Sequence, residues 1–312
     1  MKKPPLIILT GPTAVGKTKA SIGLAKAIGG EIISADSMQV YRKMDIGSAK
    51  ITPEEMEGVP HHLIDVLDPT ESFDVVLFQK LAKEAMDNIY AAGHIPIVVG
   101  GTGFYIQALL YDIDFTEEED ASGKRAAFER IAAEEGSRVL YERLQEVDPK
   151  SAEAIHPNNV KRVIRALEYY ENTGNPISAH NEASRVKESP YNFVYFVLDM
   201  ERRKLYERID KRVDLMIEQG LVREVEALKA MGLRKDMVSM QGLGYKEILA
   251  ALDGEISMEE AIYRIKRDSR HFAKRQLTWF RRERDVTWVS KEDFDMNESE
   301  VLAFLLSKLP RQ

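Results

Sequence analysis

The stretch Leu6-Ile7-Ile8-Leu9-Thr10-Gly11-Pro12-Thr13-Ala14-Val15-Gly16-Lys17-Thr18 reads as a short apolar strand running straight into a glycine-rich turn. An amphipathic helical pattern follows, from Thr18 to Ile28. Strand, turn and helix in that order are the setting in which G-x-x-x-x-G-K-T cradles phosphate. The loop amides and the helix N-terminus make a concave anion site, so Gly11, Thr13, Ala14, Gly16, Lys17 and Thr18 are the expected diphosphate-binding residues. Lys17 adds a point charge, and the Thr18 hydroxyl is placed to ligate Mg²⁺, the expected cofactor. ATP or another nucleotide is a common occupant of such a loop, but the motif specifies a di- or triphosphate and not a kinase.

Composition narrows the class. The chain has 312 residues, 44% of them hydrophobic and 30% charged, as expected of an ordinary globular protein with a sizeable core. It has no cysteine, which removes disulfides, thiolate zinc sites and Cys nucleophiles together and fits a reducing cytosol. The first strand begins within a few residues of Met1, so no signal peptide is expected. No apolar run approaches the roughly eighteen residues needed to span a bilayer. A cytoplasmic monomer with no membrane partner is the expectation.

Five apolar runs predict buried parallel strands: Leu6–Thr10, Glu31–Ser34, His62–Val66, Ile95–Val99 and Phe193–Leu198. Helical patterns lie between them, notably Lys17–Ile28 and Asp74–Ala92, and such alternation predicts a doubly wound α/β sheet. Sites in these sheets lie at the carboxyl ends of strands. Asp36 follows the second strand beside the P-loop, where a carboxylate can act as a base or bind Mg²⁺, although Asp-Ser is also a common turn cap. Thr102 follows Gly100-Gly101 after the fourth strand and opens a helix, as an anion contact or as a plain N-cap. Arg208 and Arg212 are four apart on one helix face. An arginine reaching the P-loop would neutralise a departing phosphate; a solvated face is the bland alternative. His61-His62 do not suggest a metal, because adjacent strand residues point to opposite faces.

From about Phe115 to Ser189 the pattern is helical with no strand signal, beginning with the acidic run 117–120. The expected organisation is therefore a P-loop NTPase-like parallel core, 1–114 and 190–312, interrupted by an inserted helical domain at 115–189. Net charge is −7, yet nine Lys/Arg between Arg264 and Arg284 face only Asp268 and Glu283, so that segment carries +7 and the remainder −14. A basic stripe on an acidic protein localises a polyanion. Lys161, Arg162 and Arg165, on one helix with apolar Val160, Val163, Ile164 and Leu167, are either a solvated face or a second jaw of a nucleic-acid clamp.

These segments together resemble the tRNA dimethylallyltransferase (isopentenyl-tRNA transferase) family. The resemblance is carried by GPTAVGKT (11–18), ISADSMQVYRKMDIGSAK (33–50), PHHLIDVLDP (60–69), IPIVVGGTGFYIQALL (95–110), EVDP (146–149) and HPNNVKRVIRALEYYENTG (156–174). It continues in RIDKRVDLMIEQGLVREV (208–225), QGLGYKEI (241–248) and AKRQLTWFR (273–281). The P-loop is shared with many unrelated enzymes; the DSMQVY, GGTGFY and KRQLTWFR blocks are far more specific. One departure is Ser48, where the family frequently has Thr.

The resemblance implies transfer of a dimethylallyl group from its diphosphate to N6 of the adenosine 3′ of the anticodon, position 37. Asp36, Thr102 and Arg212 become the implied catalytic residues. The flipped nucleotide would meet Asp36, Ser37, Met38, Gln39 and Thr102, while Arg125, Lys161, Arg162 and Arg165 would hold the tRNA anticodon arm. Three alternatives remain open: an adenylate isopentenyltransferase, a P-loop small-molecule kinase with Asp199 as its strand-end acid, and a non-catalytic RNA-binding module.

Overall fold

A computed structural model describes residues 3–115 and 124–310, and the acidic run 117–120 lies outside them. The chain divides into two compact units, residues 1–110 with 190–312, and residues 111–189.

The first unit is built on a sheet of six parallel strands. Its strands are β1 (Pro5–Thr10), β2 (Gly30–Ala35), β3 (His61–His62), β4 (Ile95–Gly100), β5 (Asn192–Asp199) and β6 (Val286–Ser290), in the order β3-β2-β4-β1-β5-β6. Runs of β-branched and aliphatic residues with no polar alternation suit strands covered on both faces. Accordingly β2 is buried along its whole length, and β1 along all of it but Pro5. β1 lies between β4 and β5, with Thr10 opposite Gly100 and Val197, and the Thr10 hydroxyl donates to Gly100 O at 2.6 Å. Thus the turn after β1 emerges between the carboxyl ends of its neighbours.

The first helices of this unit are α1 (Lys17–Ile28), α2 (Pro53–Met56), α3 (Val75–Ala91) and α4 (Gly103–Leu110). α1 buries Leu24 and Ala25 in a cluster with Phe196, Leu198, Val301 and Leu305.

Two sequence expectations need correction. The third strand is only two residues long, not His62–Val66, because Leu63 and Asp65 adopt positive φ (64° and 55°) and break the extended run. The following segment pairs instead with the loop after β2, where Val66 and Leu67 amides donate to Val40 O. The edge strand β6 was not expected; VTWVS follows the arginine-rich stretch and pairs with β5 from Tyr195↔Val286 to Asp199↔Ser290.

At the amino ends of β2, β3 and β4, the Glu31 carboxylate accepts from His62 Nε2 (2.7 Å) and His94 Nδ1 (2.6 Å). Burial pushes Glu31 up, but hydrogen bonds from His94 and His62 outweigh it and leave the carboxyl below its ordinary 4.5. A depressed folded-state pKa contributes stability above the unfolded value, and that contribution is lost as pH falls through the folded value. Glu31→Gln is therefore expected to lower the denaturation midpoint at pH 7, with the gap to the parent closing below about pH 4.5. An equal gap at pH 7 and at pH 3.5 would contradict this.

The second unit holds α5 (Lys124–Glu134), α6 (Ser137–Val147), α7 (Pro149–Ala154), α8 (Val160–Thr173) and α9 (Ile177–Val186), with no strand among its described residues. Their apolar faces meet at Phe128, Leu140, Leu144, Val163, Ile164 and Leu167. Asp148-Pro149 starts α7 as cap and first residue, and the buried Asp148 carboxylate accepts from Ser151 N (3.0 Å), Ser151 Oγ (2.6 Å) and Ser178 N (3.0 Å). The first unit resumes with β5, then α10 (Arg202–Gln219), α11 (Leu221–Ala230), α12 (Tyr245–Leu252), α13 (Met258–Phe280) and α14 (Glu298–Ser307). No helix among the described residues is long and apolar enough to cross a membrane.

Candidate active site

The turn after β1 runs from Gly11 to Gly16, and α1 starts at Lys17. Gly16 has φ 97°, a conformation that side chains resist, and a Cβ there would lie 2.6 Å from Lys291 Nζ. Lys291, from the turn after β6, is fully buried and paired with Glu298 Oε1 at 2.6 Å. A cation therefore stands directly behind the loop.

Lys17 Nζ donates to Gly11 O (3.0 Å) and Pro12 O (2.9 Å). Burial pushes its ammonium down to about 8, Arg212 pushes the same way, and Asp36 opposes both. Arg212 is itself lowered by burial, supported by the Asp36 and Glu55 carboxylates and opposed by Arg208. One turn earlier on α10, Arg208 Nε donates to Ala14 O at 2.9 Å. The two arginines thus face the P-loop, where basic groups outnumber the nearby acid. A site with surplus positive charge is poised for a polyanion.

Asp36 follows β2 directly. Its Oδ1 accepts from Met38 N (2.8 Å) and Gln39 N (3.4 Å), so the turn-cap reading holds for that oxygen, while Oδ2 makes no hydrogen bond among the described residues. Thr102 N donates to Ala35 O at 3.3 Å, which joins the end of β4 to the residue before Asp36. Thr102 O accepts from Tyr105 N (3.0 Å) and Ile106 N (3.2 Å) and so opens α4. Both functional groups share one end of the sheet with the P-loop. Ser37 is half-buried, and Met38 sulfur packs beside Gly242. Gln39 is occupied structurally, donating to Ala49 O (3.3 Å) and Ser48 O (3.5 Å).

The Thr18 hydroxyl lies in the first turn of α1. Among the described residues no three His, Asp or Glu side chains gather as a metal cage. A lone hydroxyl is a donor of the kind Mg²⁺ takes from a protein when phosphate oxygens and waters supply the rest of its shell.

The helical unit places the other candidates differently. Lys161 and Arg162 are exposed at the start of α8, whereas Arg165 is half-buried. Arg125 pairs with the buried Glu168 carboxylate at 2.9 Å, so its charge is largely answered within the unit. On α13, Arg264, Lys266, Arg267 and Arg270 pair with Glu260, Asp214, Asp268 and Asp210 at 2.5–2.8 Å. Four of the stripe's nine cations are therefore answered by acids of α10 and α13.

Sequence reasoning passed over the residues that shape this site. Glu224 of α11 accepts from the amides of Asp45, Ile46 and Gly47 (2.8–3.0 Å) and from Tyr245 Oη (2.8 Å), fixing the loop that follows Asp36. Gln276 of α13 accepts from Thr13 N at 2.9 Å and donates to Gly101 O at 2.9 Å. One signal was available for it: a glutamine on an otherwise apolar helical stripe with Ala273 and Phe280.

The IPP transferase family model matches residues 39–283, and the isopentenyl transferase model matches residues 4–69. A tRNA dimethylallyltransferase of Lachnoclostridium phytofermentans is 62% identical over 95% of this chain and 94% of its own length. One from Acetivibrio thermocellus is 52% identical, covering 94% of each chain. The crystal structure of the tRNA isopentenylpyrophosphate transferase from Bacillus halodurans superposes with a TM-score of 0.73 at 48% identity, over 98% of this chain and 97% of that one. A eukaryotic dimethylallyltransferase, described as acting on tRNA, superposes with a TM-score of 0.82 at 29% identity, over 99% of this chain and 81% of its own. With two thirds or more of its length matched at such identities, the chain belongs to the IPP transferase family of prenyltransferases.

Proposed function

We propose that this chain transfers a dimethylallyl group from dimethylallyl diphosphate to N6 of the adenosine at position 37 of tRNA, releasing diphosphate. The observation carrying this is the meeting, at one end of the sheet, of a cation-rich phosphate loop with the Asp36 carboxylate and Thr102. The adenine amine is a weak nucleophile because its lone pair is delocalised into the ring. Asp36 Oδ2 accepts its proton as the N–C bond forms, while Oδ1 holds the carboxylate in place through Met38 N. The allylic carbon tolerates positive charge, so the main demand is stabilising diphosphate as it leaves. Loop amides, Lys17 and Arg212 meet that demand, and Thr102 contacts the bridging oxygen. Mg²⁺, held by Thr18 and the phosphates, would add charge neutralisation on the leaving group.

The kinase alternative needs a strand-end acid for its metal. β4, beside the P-loop strand, ends at Gly100 and leads into Gly101-Thr102 with no acid, which leaves Asp199 at the end of β5 as the candidate. Prenylation of free AMP leaves the exposed cations of α8 without a purpose.

The anticodon-arm contact rests on Lys161 and Arg162. Replacing both by alanine is expected to weaken tRNA binding and flatten its salt dependence, by about 0.7 to 0.9 in log–log slope for each phosphate no longer neutralised. Binding at three salt concentrations checks it, and an unchanged slope would mean an ordinary solvated helix face. The acceptor itself is tested by whether labelled dimethylallyl enters tRNA and not AMP.

A further inference from the structure

Gln276 lies near the C-terminal end of α13 and is almost fully buried, yet both ends of its amide are hydrogen-bonded. Its Oε1 accepts the Thr13 amide of the P-loop, and its Nε2 donates to the Gly101 carbonyl after β4, both at 2.9 Å. Flipping the amide would set N–H against N–H and oxygen against oxygen, so only this orientation satisfies both ends. Gly101 is shaped to it, since a Cβ there would lie 2.1 Å from Gln276 Nε2. The next residue, Thr102, donates its amide to Ala35 O, one residue before Asp36. Trp279, one turn along α13, packs on Gly103, where a Cβ would lie 2.3 Å from the indole.

We infer that Gln276 is a positioning residue that fixes the separation between the two halves of the reaction. One half is the loop that grips the leaving diphosphate; the other is the Thr102–Ala35–Asp36 edge that receives the nucleophile. The inference rests on the functional reading above. Transfer requires the attacking nitrogen and the allylic carbon about 3–3.5 Å apart and in line, and a misplacement of about 1 Å can cost on the order of 10²-fold. The amide of Gln276 spans these halves through its two hydrogen bonds, and the Thr13 amide is committed to this bridge.

The test separates the two contacts. In Gly101→Ala the added Cβ displaces Gln276 Nε2 from the Gly101 carbonyl without changing any charge. Affinity for inorganic diphosphate is expected to stay within about threefold of the parent, while single-turnover prenyl transfer falls by about 30- to 100-fold. In Gln276→Glu the carboxylate still accepts from Thr13 N but repels the Gly101 carbonyl and adds negative charge beside the loop, so transfer is expected to fall at least as far and diphosphate affinity to fall with it. The double variant should then be no worse than the poorer single one, because both break the same hydrogen bond. Thermal melting of each variant identifies loss by unfolding, and a variant that does not fold leaves the other to decide. Transfer within about threefold of the parent in a folded variant would overturn the inference. So would equal losses of diphosphate affinity and of rate in Gly101→Ala, which would make Gln276 a support for the P-loop alone. If the parent itself prenylates no tRNA, the functional reading fails, a result distinguishable from either of these.

Discussion

Replacing Asp36 by asparagine is expected to cut turnover by roughly 10² to 10⁴ while tRNA affinity stays within a few-fold. Asn can keep the bond that Oδ1 receives from Met38 N (2.8 Å), so the turn after β2 should survive the change. What disappears is the carboxylate oxygen proposed to accept the amine proton. If Oδ2 takes that proton in the transition state, the single-turnover rate falls and the dissociation constants of both substrates hold steady. Asp36→Asn with near-normal turnover would send the proton elsewhere and leave Asp36 as a turn cap only.

Arg212→Ala is expected to lower turnover by about 10² or more, with prenyl diphosphate affinity falling by less and tRNA affinity unchanged. The asymmetry follows from where charge develops. The diphosphate gains negative charge as the C–O bond breaks, so a cation near Lys17 gains more in the transition state than in the ground state. Arg212 is desolvated and supported by Asp36, and its positive charge helps push the Lys17 ammonium down to about 8. Removing it should therefore relax Lys17 towards its ordinary value as well as delete one cation from the cradle. Lys17→Ala should give the same pattern. A variant that weakens only tRNA binding would move its residue into the RNA interface.

The P-loop, Asp36 and Thr102 were legible because each follows a strand in the chain itself, and local pattern is what sequence periodicity reports. The same logic failed where the chain turns without a glycine signal. Leu63 and Asp65 take positive φ and end β3 early, although the aliphatic residues of His62–Val66 suggest a longer strand. β6 was hidden by its position after an arginine-rich helix, with only five residues to declare it. The supporting residues were least visible, since their partners are remote in sequence. Gln276 meets Thr13 across 263 positions, and Glu224 meets Gly47 across 177. Charge counting misled in one respect. The positive excess of α13 is real, but four of its cations are spent on acids of α10 and α13, which no running sum reveals.

The most direct test of the central claim gives the purified chain dimethylallyl diphosphate and unmodified tRNA, with AMP in a parallel reaction, and follows diphosphate release together with the modified nucleoside. The account predicts one diphosphate released per prenylated adenosine, that adenosine at position 37, and no product from AMP. Prenylated AMP without prenylated tRNA, or phosphoryl transfer from ATP in place of prenyl transfer, would contradict it.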